Sequence, residues 1–211
     1  MKMNPSKKKV IDAASSLFFQ KGFHGTSVRN IAEKASVNVS LISYYFKNKQ
    51  GLLEYAVTNY YEEYLKRIEE TIEKVQSLPA VEQLNEIVRT IIQYKQAKYQ
   101  LTSFIQRELS LDSIFVREMA VTYIAKENHY LRQIFFRALP KEKGRNDRKE
   151  FLLMQFKGML ITPYMMHNEW KDQVVGEASH QAFADKYIRV VQDWIRYLTA
   201  DERPVSVKNS S

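Results

Sequence analysis

Apolar residues recur at intervals of three and four positions along almost all of the 211-residue chain. That interval puts them on one face of an α-helix, and no segment shows the two-residue alternation that marks a half-buried strand between turn signals. The chain also has only 6 glycines and 5 prolines, which are few for the many turns of an all-β fold. The sequence therefore predicts an all-α protein.

The first 75 residues predict three short helices followed by a long fourth one. Gly22 is a natural end for the first helix, and polar side chains that can accept from free backbone N–H groups precede each helix. These N-cap candidates are Ser6, then Thr26 or Ser27, then Asn38 and Asn48. The predicted helices cover residues 7–21, 28–35, 38–45 and 49–75.

Helical spacing continues through the rest of the chain. The expected helices are Ala80–Lys98, Gln100–Leu109, Asp112–Leu139, Asp147–Leu160 and Asp185–Thr199, with a further short helix near Val174–Ala184. Residues 140–147 are predicted to form a polar loop. Pro163 is expected to break segment 161–170, because proline cannot donate the helical hydrogen bond.

Positive charge is concentrated at the start of the chain. Residues 1–50 carry nine basic and two acidic side chains, a net charge of +7, whereas the other 161 residues carry 23 basic and 22 acidic ones. A basic block beside a nearly neutral remainder is typical of a domain that binds a polyanion such as a nucleic acid. An ordinary solvated lysine face is the alternative interpretation.

The turn Ser36-Val37-Asn38 joins two short helices into a helix-turn-helix. In this motif the first residues of the second helix enter the major groove of DNA. The residues concerned are Asn38, Val39, Ser40 and Leu41. None is an arginine, so base reading would rest on Ser40 and on contacts of Val39 or Leu41 with thymine methyl groups. Asn38 could read adenine, although capping the helix competes for its side chain.

Three aromatic residues follow one another at the end of this helix: Tyr44, Tyr45 and Phe46. Consecutive helical positions point about 100° apart, so we expect one ring to be buried and the tyrosines to contact the phosphate backbone. Burial of all three rings is the alternative. Lys47 and Lys49 add cations nearby, and the helix start at Thr26 and Ser27 offers backbone N–H groups to phosphate.

The segments AASSLFFQKGFHGTSVRNIAEKASV and YYFKNKQGLL resemble the TetR family of bacterial regulators. The resemblance implies three DNA-binding helices, a larger helical C-terminal domain and a homodimer on pseudo-palindromic double-stranded DNA. The family's DNA-contacting positions fall on Thr26, Ser27, Asn38, Val39, Ser40, Leu41, Tyr44, Tyr45, Lys47 and Lys49. Departures from the family pattern are Ser36 in place of glycine, Ser43 in place of tyrosine and Tyr45 in place of histidine.

We therefore expect a helix-turn-helix DNA-binding domain over 1–50, joined through the long fourth helix to a dimerisation and regulatory domain over 51–201. Residues 202–211 are expected to form a frayed tail. No apolar run approaches the roughly 18 residues of a membrane helix, and none of signal-peptide length follows the charged start. The protein is accordingly expected in the cytoplasm, associated with the nucleoid, with no membrane partner.

Most of the chain resembles TetR-type regulators of the FtsZ division ring in spore-forming bacteria. The segments that carry this similarity are NVSLISYYFKNKQGLLEY, LTSFIQRELSLDSIFVREM, TYIAKENHY and FLLMQFKGMLITPY. It implies a role in division and sporulation, with FtsZ as a partner. A ligand-responsive repressor of a neighbouring gene is the alternative, and a helical interaction protein with a vestigial basic head is a third hypothesis.

No enzyme, metal site or cofactor is expected. The chain has no cysteine, which excludes thiolate ligands and cysteine nucleophiles. His24, His129, His167 and His180 are scattered without a ligand-like spacing. The chain also lacks a nucleophile elbow and a phosphate-binding glycine loop.

Two groups of C-terminal residues allow more than one interpretation, and a third predicts how the protein dimerises. The first group could line a small-molecule effector pocket or belong to the ordinary core, and we prefer the core. Its members are Met154, Met159, Met165 and Met166 with Phe104, Phe115, Tyr123 and Phe156. Either a partner surface or solvated ion pairs are formed by Arg107, Glu108, Arg117 and Glu118. A four-helix dimer interface is predicted from Phe151, Met154, Ile188, Val191, Ile195 and Leu198.

Overall fold

A computed structural model describes residues 4–110, 114–140, 146–166 and 177–200. Within these ranges the regular structure is entirely α-helical, which confirms the prediction of an all-α fold. The helices are α1 (Pro5–Lys21), α2 (Val28–Ala35), α3 (Val39–Phe46), α4 (Lys49–Val75), α5 (Ala80–Ala97), α6 (Tyr99–Ser110), α7 (Ile114–Ala138), α8 (Asn146–Met165) and α9 (Glu177–Thr199).

The N-terminal helices begin and end where short-range signals in the sequence place them. Ser27, Asn38 and Asn48 each accept a backbone N–H at the start of α2, α3 and α4, as predicted. The cap of α1 differs from the prediction, because Asn4 rather than Ser6 accepts the first free N–H. Proline at the first helical position, as in the pair Asn4-Pro5, favours this earlier start.

The start of α4 has no capping box, because Gly51 occupies the position of the side chain that would complete it. A capping box would need Glu or Gln three residues after Asn48, and the chain has glycine there. A Cβ atom at this position would lie 2.2 Å from the carbonyl oxygen of Phe46, so the end of α3 leaves no room for a side chain. The sharp turn between α3 and α4 therefore depends on Gly51.

The helix α4 connects the N-terminal helices to the rest of the protein. It packs against α1 and α3 in one direction and against α5 and α7 in the other. Helix α6 also contacts α1, while α9 packs on α5. Because the buried residues of both parts form one continuous apolar cluster, the domain boundary near residue 50 stays a prediction. Within the described ranges, no helix is both long and apolar enough to span a membrane.

Helix α8 continues through Pro163 to Met165, although the sequence predicted an end near Leu160. Proline lacks the N–H that would bond to the carbonyl of Met159, four residues earlier. The hydroxyl of Tyr187 on α9 donates to that carbonyl at 2.8 Å instead. A tertiary contact thus satisfies the acceptor that Pro163 leaves free.

The predicted helix boundaries near the C-terminus also need correction. Helix α9 begins at Glu177, so the part of the predicted Val174–Ala184 helix that is described belongs to the same helix as 185–199. Residues 174–176, most of the predicted 140–147 loop and the 202–211 tail lie outside the described residues.

The six residues of the predicted dimer interface are divided between the interior and the surface of the protomer. Ile188, Val191 and Ile195 are buried within their own protomer, where α9 packs on α5. The same face of a helix cannot fill this core and contact a second chain. The predicted α8 residues Phe151 and Met154 are 61% and 64% exposed. Other exposed apolar side chains on α8 and α9 are Met165, Val190 and Tyr197, and Leu198 is half-buried.

The methionine-rich group does not form one pocket. Phe104 and Phe156 are buried in the core, as in the preferred interpretation, whereas Met154, Met165 and Met166 are exposed. Met159 and Tyr123 are half-buried against the core. Phe115 lies outside the described side chains.

The interior of the C-terminal part contains a polar cluster centred on Glu127 of α7. The hydroxyl of Tyr64 donates to Glu127 Oε1 at 2.5 Å, and Lys95 Nζ lies 3.5 Å from the same oxygen. Lys95 also donates to the carbonyl oxygen of Leu160 at 3.4 Å. Burial raises the pKa of Tyr64 well above its usual value, and the negative charge of Glu127 raises it further, so this hydroxyl stays a donor. The cluster connects α4, α5, α7 and α8.

Candidate nucleic-acid interface

The helix-turn-helix presents the start of α3 to solvent. Ile42 and Phe46 are buried, and they fix α3 against the other N-terminal helices. Asn38, Val39 and Ser40, at the start of the helix, are exposed, and Leu41 is half-buried. This is the end of a recognition helix that enters the major groove.

Ser36 occupies the turn between α2 and α3 in the left-handed region, with φ 54°. A residue without a Cβ atom adopts this conformation at lower cost, which accounts for glycine at this place in the family pattern. The backbone N–H of Ser36 donates to Glu33 O at 3.0 Å and caps the end of α2. The substitution of glycine therefore leaves the turn intact.

Asn38 and Ser40 are hydrogen-bonded to each other at the exposed start of α3. Asn38 Oδ1 accepts the backbone N–H of Ser40 at 2.8 Å and also the Ser40 hydroxyl at 2.8 Å. The amide oxygen is therefore the cap of the helix, and the amide nitrogen is left to face outward.

Of the three consecutive aromatic rings, one is buried and two are accessible to solvent. Phe46 is 4% exposed, whereas Tyr44 is 80% exposed. Tyr45 is half-buried, and its hydroxyl accepts from Asn4 Nδ2 at 3.1 Å. Burial of all three rings is thus excluded. An accepting hydroxyl keeps its own hydrogen, so both tyrosines have an O–H that can be donated to a phosphate oxygen.

The two residues predicted to contact DNA at the start of α2 differ in their exposure. Ser27 is exposed and forms a capping box with Asn30, each side chain accepting the other residue's backbone N–H. Thr26 is 2% exposed, and its hydroxyl donates to the carbonyl oxygen of Gly22 at 2.8 Å. The side chain of Thr26 therefore stabilises the turn before α2, which corrects its prediction as a DNA contact.

The two predicted lysines also have different roles. Lys47 is exposed at the end of α3. Lys49 is half-buried, and its ammonium donates at 2.8 Å to the carbonyl oxygens of both Phe23 and Thr26. It also lies 4.3 Å from the centre of the Phe23 ring. Lys49 thus holds the α1–α2 loop against the start of α4, which corrects its assignment as primarily a phosphate contact.

Further cations of the basic block are also divided between surface and interior. Lys7 Nζ lies 3.7 Å from the centre of the Tyr55 ring and contributes to packing by a cation–π contact. The exposed members are Lys8, Lys9, Lys21, Arg29, Lys34 and Lys47. These six supply the exposed positive charge of the N-terminal region.

Arg107 of α6 contacts the N-terminal helices. Its guanidinium donates to the carbonyl oxygens of Phe18 and Phe19 at 3.3 and 3.0 Å, at the end of α1. A cation at a helix C-terminus offsets the partial negative charge of the free carbonyls. The structure therefore assigns Arg107 to an internal contact. Glu108 is half-buried, Glu118 is exposed, and Arg117 lies outside the described side chains.

Sequence reasoning did not find the roles of Asn4, Asn30 and Arg107. The pair Asn4-Pro5 and the spacing Ser27 to Asn30 are local signals that could have revealed the first two. No local signal could have placed Arg107 against α1, since 88 positions separate it from Phe19.

These features together define a DNA-binding protein of the helix-turn-helix class. Residues 10–56 match the model of the tetR family of bacterial regulatory proteins. The chain is 36% identical to the probable HTH-type transcriptional regulator YttP of Bacillus subtilis over 90% of this chain and 92% of that protein. The chain therefore belongs to the tetR family.

Solved structures share the fold at low identity. The TetR-family regulator PfmR of Thermus thermophilus has a TM-score of 0.67 and 17% identity, over 87% of this chain and 97% of that one. The regulator FadR of Bacillus subtilis, solved in complex with stearoyl-CoA, has a TM-score of 0.62 and 20% identity, over 87% and 96%. The arrangement of the N-terminal and C-terminal helices is thus that of other family members.

Proposed function

We propose that this protein is a sequence-specific DNA-binding regulator that acts as a homodimer on pseudo-palindromic sites. The observation that carries the proposal is the exposed start of α3 in the most basic part of the chain. Bases would be read by Asn38, Val39, Ser40 and Leu41. Phosphates would be bound by Tyr44, Tyr45, Lys47 and the free backbone N–H groups after Ser27. Binding of this kind would place the protein on the nucleoid.

The dimer interface is proposed on the exposed faces of α8 and α9. Phe151, Met154 and Met165 recur at helical spacing on α8, and Gly158 between them has open space around its Cβ position. An exposed apolar face with a glycine at its centre allows a partner helix to approach closely. Two-fold symmetry would place the two recognition helices one DNA turn, about 34–36 Å, or a multiple of it apart.

A charge on this face tests the dimer. Met154→Glu should convert the protein to a monomer in sedimentation equilibrium and weaken operator binding. Val121→Glu is the matched control, since Val121 is also exposed (58%) but lies on α7. An unchanged dimer of Met154→Glu would place the interface elsewhere.

The second part of the proposal concerns the cellular process that the protein regulates. The similarity of segments along most of the chain to RefZ, the forespore regulator of the FtsZ ring, supports a role in division-ring assembly and chromosome positioning. FtsZ would then be a protein partner, and Glu108 and Glu118 remain candidate contact residues.

The alternative is a ligand-responsive repressor of a neighbouring gene. The similarity in fold to FadR, which was solved with stearoyl-CoA, favours this candidate. A small molecule among the C-terminal helices would shift α4 and α6, which both contact α1. A copurifying metabolite that releases DNA would identify such an effector by native mass spectrometry.

A genome-wide map of bound sites in the native host distinguishes the division role from the ligand-responsive repressor. Several sites grouped around the replication origin, away from promoters, would support the division role. One strong site upstream of its own gene or an adjacent enzyme or transporter gene would support the ligand-responsive repressor. A map with no enriched site would overturn sequence-specific regulation and leave an interaction protein.

A further inference from the structure

The hydrogen bonds at the start of α3 restrict which bases Asn38 can read. An amide oxygen has two lone pairs, and Asn38 Oδ1 accepts two hydrogen bonds, from Ser40 N–H and from Ser40 Oγ–H. Both of its acceptor positions are therefore occupied within the protein.

The orientation of this amide is chemically determined. A backbone N–H can only donate, so the Asn38 atom that lies 2.8 Å from Ser40 N must be the oxygen. Reversing the amide would place two donors against each other and leave the helix uncapped. The NH2 group of Asn38 consequently points away from the helix, at an exposed position.

Asn38 thus offers DNA two donors and no acceptor. An asparagine that reads adenine uses both kinds of group, since it accepts from N6 and donates to N7. The capped Asn38 lacks the free acceptor. Guanine presents N7 and O6 in the major groove, which are both acceptors, and matches a donor-only side chain.

Ser40 has the opposite character. Its hydroxyl hydrogen is donated to Asn38, so Oγ presents only lone pairs to solvent. In the major groove the base donors are N4 of cytosine and N6 of adenine. A donor at Asn38 beside an acceptor at Ser40 complements an acceptor and a donor that are neighbours in the groove. An A·T pair also offers such neighbours, at N7 and N6 of adenine and at O4 of thymine. Only guanine places two acceptors, N7 and O6, side by side for the two N–H groups of Asn38, with the N4 donor of its cytosine next to them for Ser40.

We propose that the hydrogen-bonded pair Asn38–Ser40 reads a G·C base pair in each half-site in preference to an A·T pair, with Asn38 on N7 and O6 of guanine and Ser40 on N4 of cytosine. This inference rests on the proposed function, because it requires α3 to lie in the major groove. Val39 lies between the two polar residues and is 39% exposed, so its side chain is available to a neighbouring thymine methyl group.

The test is selection of binding sites from a random duplex library with the full chain and three variants. Asn38→Ser keeps an oxygen that can cap the helix and removes the NH2 donors. Asn38→Asp keeps the cap and replaces the donors by an acceptor. Ser43→Ala, an exposed position at the other end of α3, is the control. Thermal unfolding of each variant establishes that it is folded.

We expect the wild-type protein and Ser43→Ala to select the same G·C pair in each half-site. Asn38→Ser should lose the preference at that position by about tenfold, the size of one good base contact, and keep the rest of the site. Asn38→Asp should shift the preference towards a base that offers a donor, cytosine or adenine. Replacing the guanine by 7-deazaguanine, which lacks the N7 acceptor, should weaken the wild-type protein and leave Asn38→Ser unaffected.

Two results would overturn the inference while leaving the proposed function intact. One is an adenine that the wild-type protein selects and Asn38→Ser loses; the other is an identical selected sequence for both proteins. Salt-dependent binding with no selected sequence would overturn base reading altogether. Absence of any binding to DNA would overturn the proposed function as well.

Discussion

The N-terminal helices α1–α3 and the C-terminal helices α5–α9 use charge in opposite ways. Around α3 the cations are mostly exposed, and those that turn inward lie over rings or against backbone carbonyls, as Lys7 and Lys49 do. In the C-terminal part, Lys95 and Glu127 are paired inside the protein. Charge in the first region remains available to a polyanion, whereas charge in the second joins helices to one another.

The difference follows from the size of the two regions. Three short helices bury little apolar surface, so contacts of cations with carbonyls and rings add needed stability to the loops between them. The larger C-terminal core can enclose a complete polar cluster, and such a cluster fixes which helices meet.

Removal of Glu127 should have the largest effect. Glu127→Leu leaves the Lys95 ammonium and the Tyr64 hydroxyl buried without their carboxylate, so the free energy of unfolding should fall by about 3–5 kcal/mol. Urea denaturation measures this change. The double variant Lys95→Met/Glu127→Leu should recover most of the loss, because it leaves no buried charge. An unfolding midpoint of Glu127→Leu equal to that of the wild type would show that this cluster does not stabilise the fold.

Substitutions of Lys49 and Lys47 should differ in their effects on stability and on DNA binding. Lys49→Met removes two charge-assisted hydrogen bonds, and we expect the free energy of unfolding to fall by about 2–3 kcal/mol. Lys47→Met should leave stability nearly unchanged and reduce the log–log salt slope of DNA binding by about 0.9 for each phosphate that Lys47 neutralises. Equal stability of the two variants would contradict the internal role of Lys49.

Arg107 tests the connection between the two regions. Arg107→Met removes the bonds to the Phe18 and Phe19 carbonyls and should cost about 1–2 kcal/mol. Hydrogen exchange should accelerate at the end of α1 and around the α1–α2 loop, with little change in α9. Arg132→Met, which breaks a surface pair with Glu150, is the control and should leave α1 unaffected. Unchanged exchange at α1 in Arg107→Met would contradict this role.

Tyr44→Phe should have the smallest effect. The hydroxyl is exposed, so stability should stay the same, while DNA affinity should fall by about three- to tenfold, the value of one hydrogen bond. The loss should be the same for all DNA sequences, because the partner is a phosphate. Tyr123→Phe on α7 is the control with unchanged affinity. A loss confined to one base would assign Tyr44 to base reading instead.

Much of the fold and part of the candidate interface were predictable from sequence. Helix periodicity placed seven of the nine described helices close to their observed ranges, whereas α8 continues past its predicted end at Leu160 and α9 was assigned only from residue 185. The caps Ser27, Asn38 and Asn48 were found because a capping side chain bonds to backbone within three residues of itself. The division of Tyr44, Tyr45 and Phe46 into one buried and two accessible rings followed from helix geometry alone.

The sequence by itself thus determined most of the helices and the caps of α2, α3 and α4, because these depend on neighbours no more than four positions away. The tertiary structure decided the partners of Lys49 and Arg107, and it buried Ile188, Val191 and Ile195 within the protomer. It also carried α8 through Pro163, since Tyr187 reaches the free carbonyl from another helix. Apolar spacing marks a face for burial but does not choose its partner, and that choice is made when all the helices pack together.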